Sequence, residues 1–390
     1  MVWIEGDLLE IMDKLGIGII GCGNISTTYL SLAPLFKGLV IRAVADANPA
    51  AATARAAEFG VTAQSVEDLL ANPALDVVIN LTIPDAHFAV SQAILQAGKH
   101  VYSEKPLTLS LQDGLALRDL AASKNLRVGC APDTFLGGAH QQARAMIDEG
   151  RLGTITAGGA AVMNHGMEDW HPNPDFFFLP GGGPMLDLGP YYIASLVNLI
   201  GPVRRVAALT SSASQTRTIT SEPRRGQTIP VKTPTNIHAL LEFASGATVN
   251  LSTSWDVRAH KRANMELYGT EGSLFVPDPN FFGGTVEFAG RDGRIAPVAA
   301  WHHPFGRTNY TTQSGENLAN YRAAGLADIA AAIHDGRDHR CSLDRTLHAV
   351  EVMTAILKSG ETGSFATLET TCTRPAALSP AQAQAQALLA

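Results

Sequence analysis

The first third of the chain alternates continuous apolar runs with helical patterns. "LGIGII" (15–20) and "LVIRAVAD" (39–46) read as buried strands, and "LDVVINL" (75–81), "KHVYS" (99–103) and "LRVGCA" (126–131) follow them. Between these runs, residues 49–59, 86–97 and 109–124 repeat apolar positions at helical spacing, and Pro49 suits a first helical turn. Strands that are apolar throughout and separated by helices predict a parallel sheet covered on both faces. The first expectation is therefore a doubly wound α/β unit.

Near residue 133 the rhythm changes. Stretches 156–164, 203–211, 236–243, 247–255, 262–269 and 272–277 alternate as strands. Turn residues at 244–246 ("ASG") and 270–272 ("TEG") join some of them as hairpins, which predicts an antiparallel sheet. Amphipathic stretches 318–334 and 343–358 predict two closing helices, and the Ala/Gln-rich tail from 375 onward reads as peripheral. Two domains are expected, 1–133 and 134–390, as 390 residues exceed one ordinary core.

Composition narrows the function classes. A net charge of −7 argues against a general nucleic-acid or anionic-membrane binder. Four scattered cysteines (Cys22, Cys130, Cys341, Cys372) give neither a disulfide framework nor a metal spacing, which fits a reducing cytoplasm. The opening "MVWIEGDLLEIMDK" lacks the basic-then-apolar order of a signal peptide, and no run approaches the ~20 apolar residues of a membrane span.

"GIGIIGCGNIS" places Gly21 and Gly23 in a G-x-G-x-x-S turn, with Ser26 at the third glycine position. Such a turn lets backbone approach a pyrophosphate, and the helix that follows offers unpaired N–H groups at its positive end. The motif follows the first strand and opens a helix. Asp46 then ends the second strand, where a carboxylate can accept both ribose hydroxyls. Its other reading is a cap for the helix that begins at Pro49. Facing the ribose, Asp46 repels a 2′-phosphate, so NAD(H) is favoured over NADP(H).

Taken with "VYSEKPL" (101–107) and "GGGPMLDLGPYYI" (181–193), the "GCGNIS" turn resembles the Gfo/Idh/MocA family of oxidoreductases, over roughly residues 14–360. That family includes sugar and inositol dehydrogenases and glucose–fructose oxidoreductase. The resemblance implies an N-terminal Rossmann domain and a C-terminal α/β domain with a large open, predominantly antiparallel sheet. One sheet face helps form the active site, and the other commonly packs between subunits as a homo-oligomer, a dimer or tetramer. It implies Asn24, Ile25, Thr82, His87 and Glu104 on the cofactor side, with Lys105 beside the nicotinamide and against the reacting hydroxyl. The Lys105–Pro106 bond is implied to be cis. Asp187 and Gly189 match the family's glycine-rich motif, whereas Tyr191 takes its histidine position and Ala194 its last aspartate. "APDTFLGG" (131–138) lacks the family's asparagine–arginine pair.

These residue types suit alcohol oxidation. An alcohol is about as weak an acid as water, near pKa ~15.7, so a free alkoxide at neutral pH costs on the order of 12 kcal/mol. A base must take the proton and a cation must steady the oxygen. Lys105 supplies the cation. Tyr191 supplies the acid/base group, with Tyr192 as the alternative phenol, and Asp187 orients or caps the next helix. The loop "NHGMEDWHPNPDFFFLPGGG" (164–183) offers His165, Trp170 and His171 to a sugar, with Trp255, His302 and His303 as weaker candidates. No third ligand joins His165 and His171, so no catalytic metal is expected. The reading is an NAD(H)-dependent dehydrogenase of a sugar, sugar derivative or polyol. An NAD-dependent glycosidase using transient sugar oxidation and a non-catalytic NAD sensor are the alternatives.

Overall fold

Strand β1 (Leu15–Ile20) turns at residues 21–23 into helix α1 (Asn24–Leu32). There follow β2 (Leu39–Ala45), α2 (Pro49–Phe59), β3 (Thr62–Ala63), α3 (Val66–Ala71), β4 (Val77–Asn80) and α4 (Pro84–Gln96). The unit ends with β5 (His100–Ser103), α5 (Leu111–Ser123) and β6 (Val128–Cys130). The six strands are parallel in the order β3-β2-β1-β4-β5-β6. Chain direction across the sheet reverses between β1 and β4, and doubly wound sheets bind ligands outside the strand ends at such a point. Burial on both faces explains the unbroken apolar runs: Val77, Val78 and Ile79 are wholly covered. Each such side chain contributes about 1.5–3 kcal/mol relative to exposure. Helix starts are set locally: Asn48 accepts the Ala50 N–H ahead of Pro49, and Ser110 accepts the Asp113 N–H.

The chain was described from a computed structural model covering residues 14–312 and 315–387. The signal-peptide reading concerns the opening stretch, of which only Lys14 falls among the described residues.

After α6 (Gly138–Asp148) come β7 (Ile155–Met163), α7 (Gly183–Asp187), α8 (Gly189–Ile200), β8 (Val203–Ser211), β9 (Thr216–Thr218) and β10 (Thr228–Pro230). Next are β11 (Asn236–Phe243), β12 (Thr248–Ser254), β13 (Met265–Gly269), β14 (Ser273–Val276), β15 (Glu287–Ala289) and β16 (Ala296–Pro297). The short strands β17 (Tyr310–Thr311) and β18 (Asn317–Leu318) pair with each other. Helices α9 (Ala324–Asp335) and α10 (Leu343–Thr362), strand β19 (Ala366–Thr367) and helix α11 (Pro380–Gln386) complete the fold. Nine strands form a sheet ordered β16-β15-β14-β13-β7-β12-β11-β8-β19. Its pairs are antiparallel except β7 with β12, which run parallel. The expected hairpins join β11 to β12 and β13 to β14.

Alternation sorts this sheet's two faces. Val206, Ile237, Ala239, Leu241, Val249, Leu251 and Leu267 lie in one core with residues of α8 and α10. On the opposite face, Leu209 stands against His238, with Leu240 two residues on. Leu209 is 75% exposed and Leu240 49%.

Two expectations are corrected. The helix read over 318–334 begins only at Ala324, because its N-terminal N–H groups are capped from afar: Ala323 and Gly325 both donate to Asp133 Oδ2, at 3.0 and 2.9 Å. The tail is not peripheral, since Leu378, Ala383 and Ala387 are buried with Phe36 in the first sheet's core. Alanines four apart form a packing stripe that an Ala/Gln-rich composition conceals, and a Ser379/Gln382 capping box starts the helix that carries Ala383.

Candidate active site

The glycine turn is fixed by sterics. Gly21 has φ +106, and a Cβ there would stand 2.5 Å from the Leu81 carbonyl oxygen. A Cβ on Gly23 would meet nothing within 4 Å, so this backbone faces open space at the start of α1. That helix has neither a side-chain cap nor an acidic residue in its first turn. Buried Ser26, at the third glycine position, donates back to the Gly23 carbonyl at 2.6 Å. Free N–H groups at a positive helix end suit a pyrophosphate, so the turn fits a dinucleotide. Asp46 accepts the Cys22 N–H at 2.7 Å and the Asn48 N–H at 2.8 Å. It lines a cleft of about 970 Å³ together with Gln64 and Ser65. The cap of α2 is Asn48, so Asp46 supports that helix without capping it.

Strand β5 runs directly into Glu104 and Lys105. Glu104 accepts the Tyr29 hydroxyl at 2.9 Å and the Lys105 N–H at 3.0 Å, which fixes the strand's exit. The Lys105–Pro106 bond is cis. His87, buried, bridges the carbonyls of Pro106 (Nδ1, 2.6 Å) and Thr82 (Nε2, 3.0 Å), tying the two loops together. Lys105 Nζ reaches Asp187 Oδ1 at 2.6 Å and the Asp187 carbonyl at 2.7 Å. Asp187 ends α7, and after Leu188 helix α8 begins and carries Tyr191, whose ring centroid lies 5.2 Å from the ammonium. Burial opposes the Lys105 charge, yet Asp187 first, then Tyr191 and Glu104, hold its pKa above the ordinary value. Lys105 therefore stays a cation through the neutral range.

Arg322 also approaches Tyr191, its guanidinium 6.0 Å from the ring centroid. Asn280 and Asn320 side chains hold it at 2.8 and 3.1 Å. Burial opposes its charge, while Tyr191, Asp133 and Glu104 raise its pKa.

A cavity of about 820 Å³ joins the two halves of the site. Asn24, Ile25, Thr82, His87, Glu104 and Lys105 line it from the nucleotide side, and Trp170, His171, Asp187 and Tyr191 from the other. Burial lowers the His171 pKa, and its Nδ1 accepts the Asn173 N–H at 3.1 Å.

Residues 15–131 match the family described as "Oxidoreductase family, NAD-binding Rossmann fold". Residues 140–275 match the GFO/IDH/MocA C-terminal domain. The chain belongs to the Gfo/Idh/MocA oxidoreductases.

Relatives of this Gfo/Idh/MocA chain include levoglucosan dehydrogenase of Pseudarthrobacter phenanthrenivorans. The two are 26% identical over 67% of this chain and 73% of that one. Inositol 2-dehydrogenase of Rhizobium meliloti is 24% identical, over 82% of this chain and 92% of the relative. Among solved structures, levoglucosan dehydrogenase in complex with NADH and L-sorbose superposes with a TM-score of 0.77. It is 23% identical, over 92% of this chain and 99% of that one, a likeness of fold.

Several sequence candidates fall elsewhere. His165 is drawn to Arg217, which sits 3.4 Å from its carbonyl, and does not line the cavity. Tyr192 is buried, accepting from Asn264 at 3.2 Å and donating to Asp278 at 3.3 Å, so it is a packing residue. Trp255 is fully buried among Phe177 and Phe178. His303 is buried against the Leu378 carbonyl, and His302, exposed, stands outside the cavity. Among the described residues no group of three or more His, Cys, Asp or Glu side chains gathers as a metal site. None of their helices is long and apolar enough to cross a membrane.

Sequence reasoning missed Arg322, Tyr29, Tyr310 and Phe176. Arg322 belongs to no local motif, and its place depends on Asp133 setting the start of α9. Phe176 had a signal, since it lies within the aromatic loop already noted.

Proposed function

We propose that this oxidoreductase is an NAD(H)-dependent dehydrogenase in which bound nicotinamide accepts or returns the hydride of a sugar, sugar-derivative or polyol carbinol. The carrying observation is the Lys105 ammonium, 2.6 Å from Asp187 and 5.2 Å from the centroid of the Tyr191 ring, in the cavity onto which the glycine turn opens. An ammonium has three N–H donors. Asp187 takes two of them through its carboxylate and carbonyl. The third is left for the substrate hydroxyl. A lysine held in its charged form donates and does not act as base. Tyr191 as the phenolate therefore takes the hydroxyl proton, becomes the phenol, and passes that proton to solvent before the next turnover. Lys105 places a positive charge beside the oxygen that becomes electron-rich, a fixed field that costs no rearrangement during reaction, while Arg322, which does not line the cavity, faces the Tyr191 ring. Asp46 accepts from the adenosine ribose and disfavours a 2′-phosphate.

Support for the substrate class comes from relatives named for levoglucosan and inositol and from the NADH and L-sorbose complex. The deciding experiment incubates the protein with NAD⁺ and a panel of aldoses, polyols, anhydrosugars and aryl glycosides. Accumulation of reduced cofactor supports the reading. Release of an aglycone without reduced cofactor points to hydrolysis, and NAD binding without any turnover points to a sensor.

The exposed Leu209, Leu240 and Tyr268 on the open sheet face support a homo-oligomer formed through that face. Four unpaired cysteines support a reducing, cytoplasmic setting.

A further inference from the structure

Resting on that reading, we propose that the substrate is a neutral, two-ring sugar: an uncharged glycoside or disaccharide whose second ring stacks on the rim formed by Trp170, Phe176 and Tyr310. Six large aromatic side chains are exposed among the described residues, and three of them line this one cavity. Trp170 is 63% exposed, Tyr310 47% and Phe176 43%. Exposed aromatics scattered singly are ordinary, whereas a cluster around a concave site marks a ligand surface.

The rim is built and anchored. Trp170 contacts His171 edge-on, with ring centroids 5.4 Å apart, and His171 contacts Phe176 and Phe177 at 5.6 and 5.3 Å. Phe177 in turn rests on fully buried Trp255 at 5.9 Å. The loop's backbone is pinned as well: Ser221 donates to the His171 carbonyl at 2.7 Å, and Thr220 and Ser221 N–H groups donate to the Glu168 carbonyl. Glu168 itself pairs with Arg217 at 2.9 Å. An array held from below presents its faces to solvent with little ordering left to do, as a stacking platform requires.

Charge excludes anionic substrates. Among the described residues that line the cavity the only Lys or Arg is Lys105, already paired with Asp187, and Glu104 adds a further negative charge. A sugar phosphate or uronate would meet no free counter-charge there. The polar floor thus takes one hydroxylated ring, and the aromatic rim takes the C–H or aryl face of a second.

The test compares kcat/KM for a methyl glycoside, a phenyl glycoside and a disaccharide of each common aldose, with the 6-phosphate as control. It uses the full-length protein and NAD⁺, alongside equilibrium binding of the same compounds. The two-ring compounds should exceed the methyl glycoside at least tenfold, with the phosphate poorest. Trp170→Ala, at an exposed position, should lower the two-ring values at least fivefold more than the one-ring value. Equal values for one and two rings, or an equal loss across all compounds in the variant, overturn the proposal while leaving dehydrogenase activity intact. Binding of the phenyl glycoside that Trp170→Ala weakens, without reduction of NAD⁺ by any compound, keeps the rim and overturns the dehydrogenase reading. Absence of both turnover and binding overturns the two together.

Discussion

Lys105 and Asp187 stand 82 positions apart in the chain, yet their ammonium and carboxylate meet at 2.6 Å with only 15% and 20% of each side chain exposed. One comes from the end of the parallel sheet and the other from the short helix ahead of α8, so the pair exists only once both halves of the chain have docked. Partial burial strengthens this contact relative to a surface ion pair, and it fixes the direction of the remaining Lys105 N–H.

Replacing Lys105 with Met removes the cation but keeps the stem. Turnover should fall about 10²–10³-fold, the range of a lost donor that steadies developing negative charge. Cofactor affinity, measured by quenching of intrinsic fluorescence, should change far less. A variant that turns over within threefold of the parent would dismiss Lys105 from the chemistry.

Tyr191→Phe should lower turnover about 10²–10⁴-fold, because the proton acceptor is gone while the ring remains. Arg322→Gln removes the guanidinium that faces that ring 6.0 Å from its centroid and should lower kcat more than it raises KM. Steady-state kinetics of both variants check this, and an unchanged kcat in Arg322→Gln would separate the guanidinium from the proton acceptor.

Asp46→Ala should weaken NAD binding about tenfold, the loss of a charge-assisted hydrogen bond at ~1.5 kcal/mol. NADP should lose less or gain, since a carboxylate beside its 2′-phosphate is repulsive. Titration calorimetry with both cofactors decides, and equal losses would tell against the ribose contact.

Acid should destabilise the fold above the range in which its carboxylates protonate. Burial lowers His140, His303 and His339 each to about 4, against an unfolded value of ~6.5. Between those values the unfolded chain binds more protons, so stability is complete above pH ~6.5 and is lost as pH falls toward 4. Asp133 works the other way: burial raises it to about 6, so the folded chain binds its proton more readily below that pH. Three histidines outweigh one carboxyl, and the melting temperature should drop between pH 7 and pH 5. A flat or rising curve over that interval would contradict the burial assignments.

Leu240→Arg on the open sheet face should shift the protein to smaller species in sedimentation without loss of secondary structure. Identical sedimentation would move the subunit interface elsewhere.

The periodicity of the chain carried much of the architecture. Unbroken apolar runs marked β1, β2 and β4 because a parallel sheet is covered on both sides, and alternation marked β11 and β12 because only one of their faces is covered. The turn at Gly21 was legible because its sterics are local, and Lys105 with Pro106 was legible as a motif. Assembly was decided by the tertiary structure alone. It chose between Tyr191 and Tyr192, adjacent phenols that a helix turns in different directions, sending one to the cavity and the other to Asn264 and Asp278. It drew His165 away to Arg217, and it brought Arg322 to Tyr191 by capping α9 with a carboxylate some 190 residues earlier. Hydrogen bonds and ion pairs between distant segments leave no period in a sequence, because their partners are chosen by packing and not by spacing.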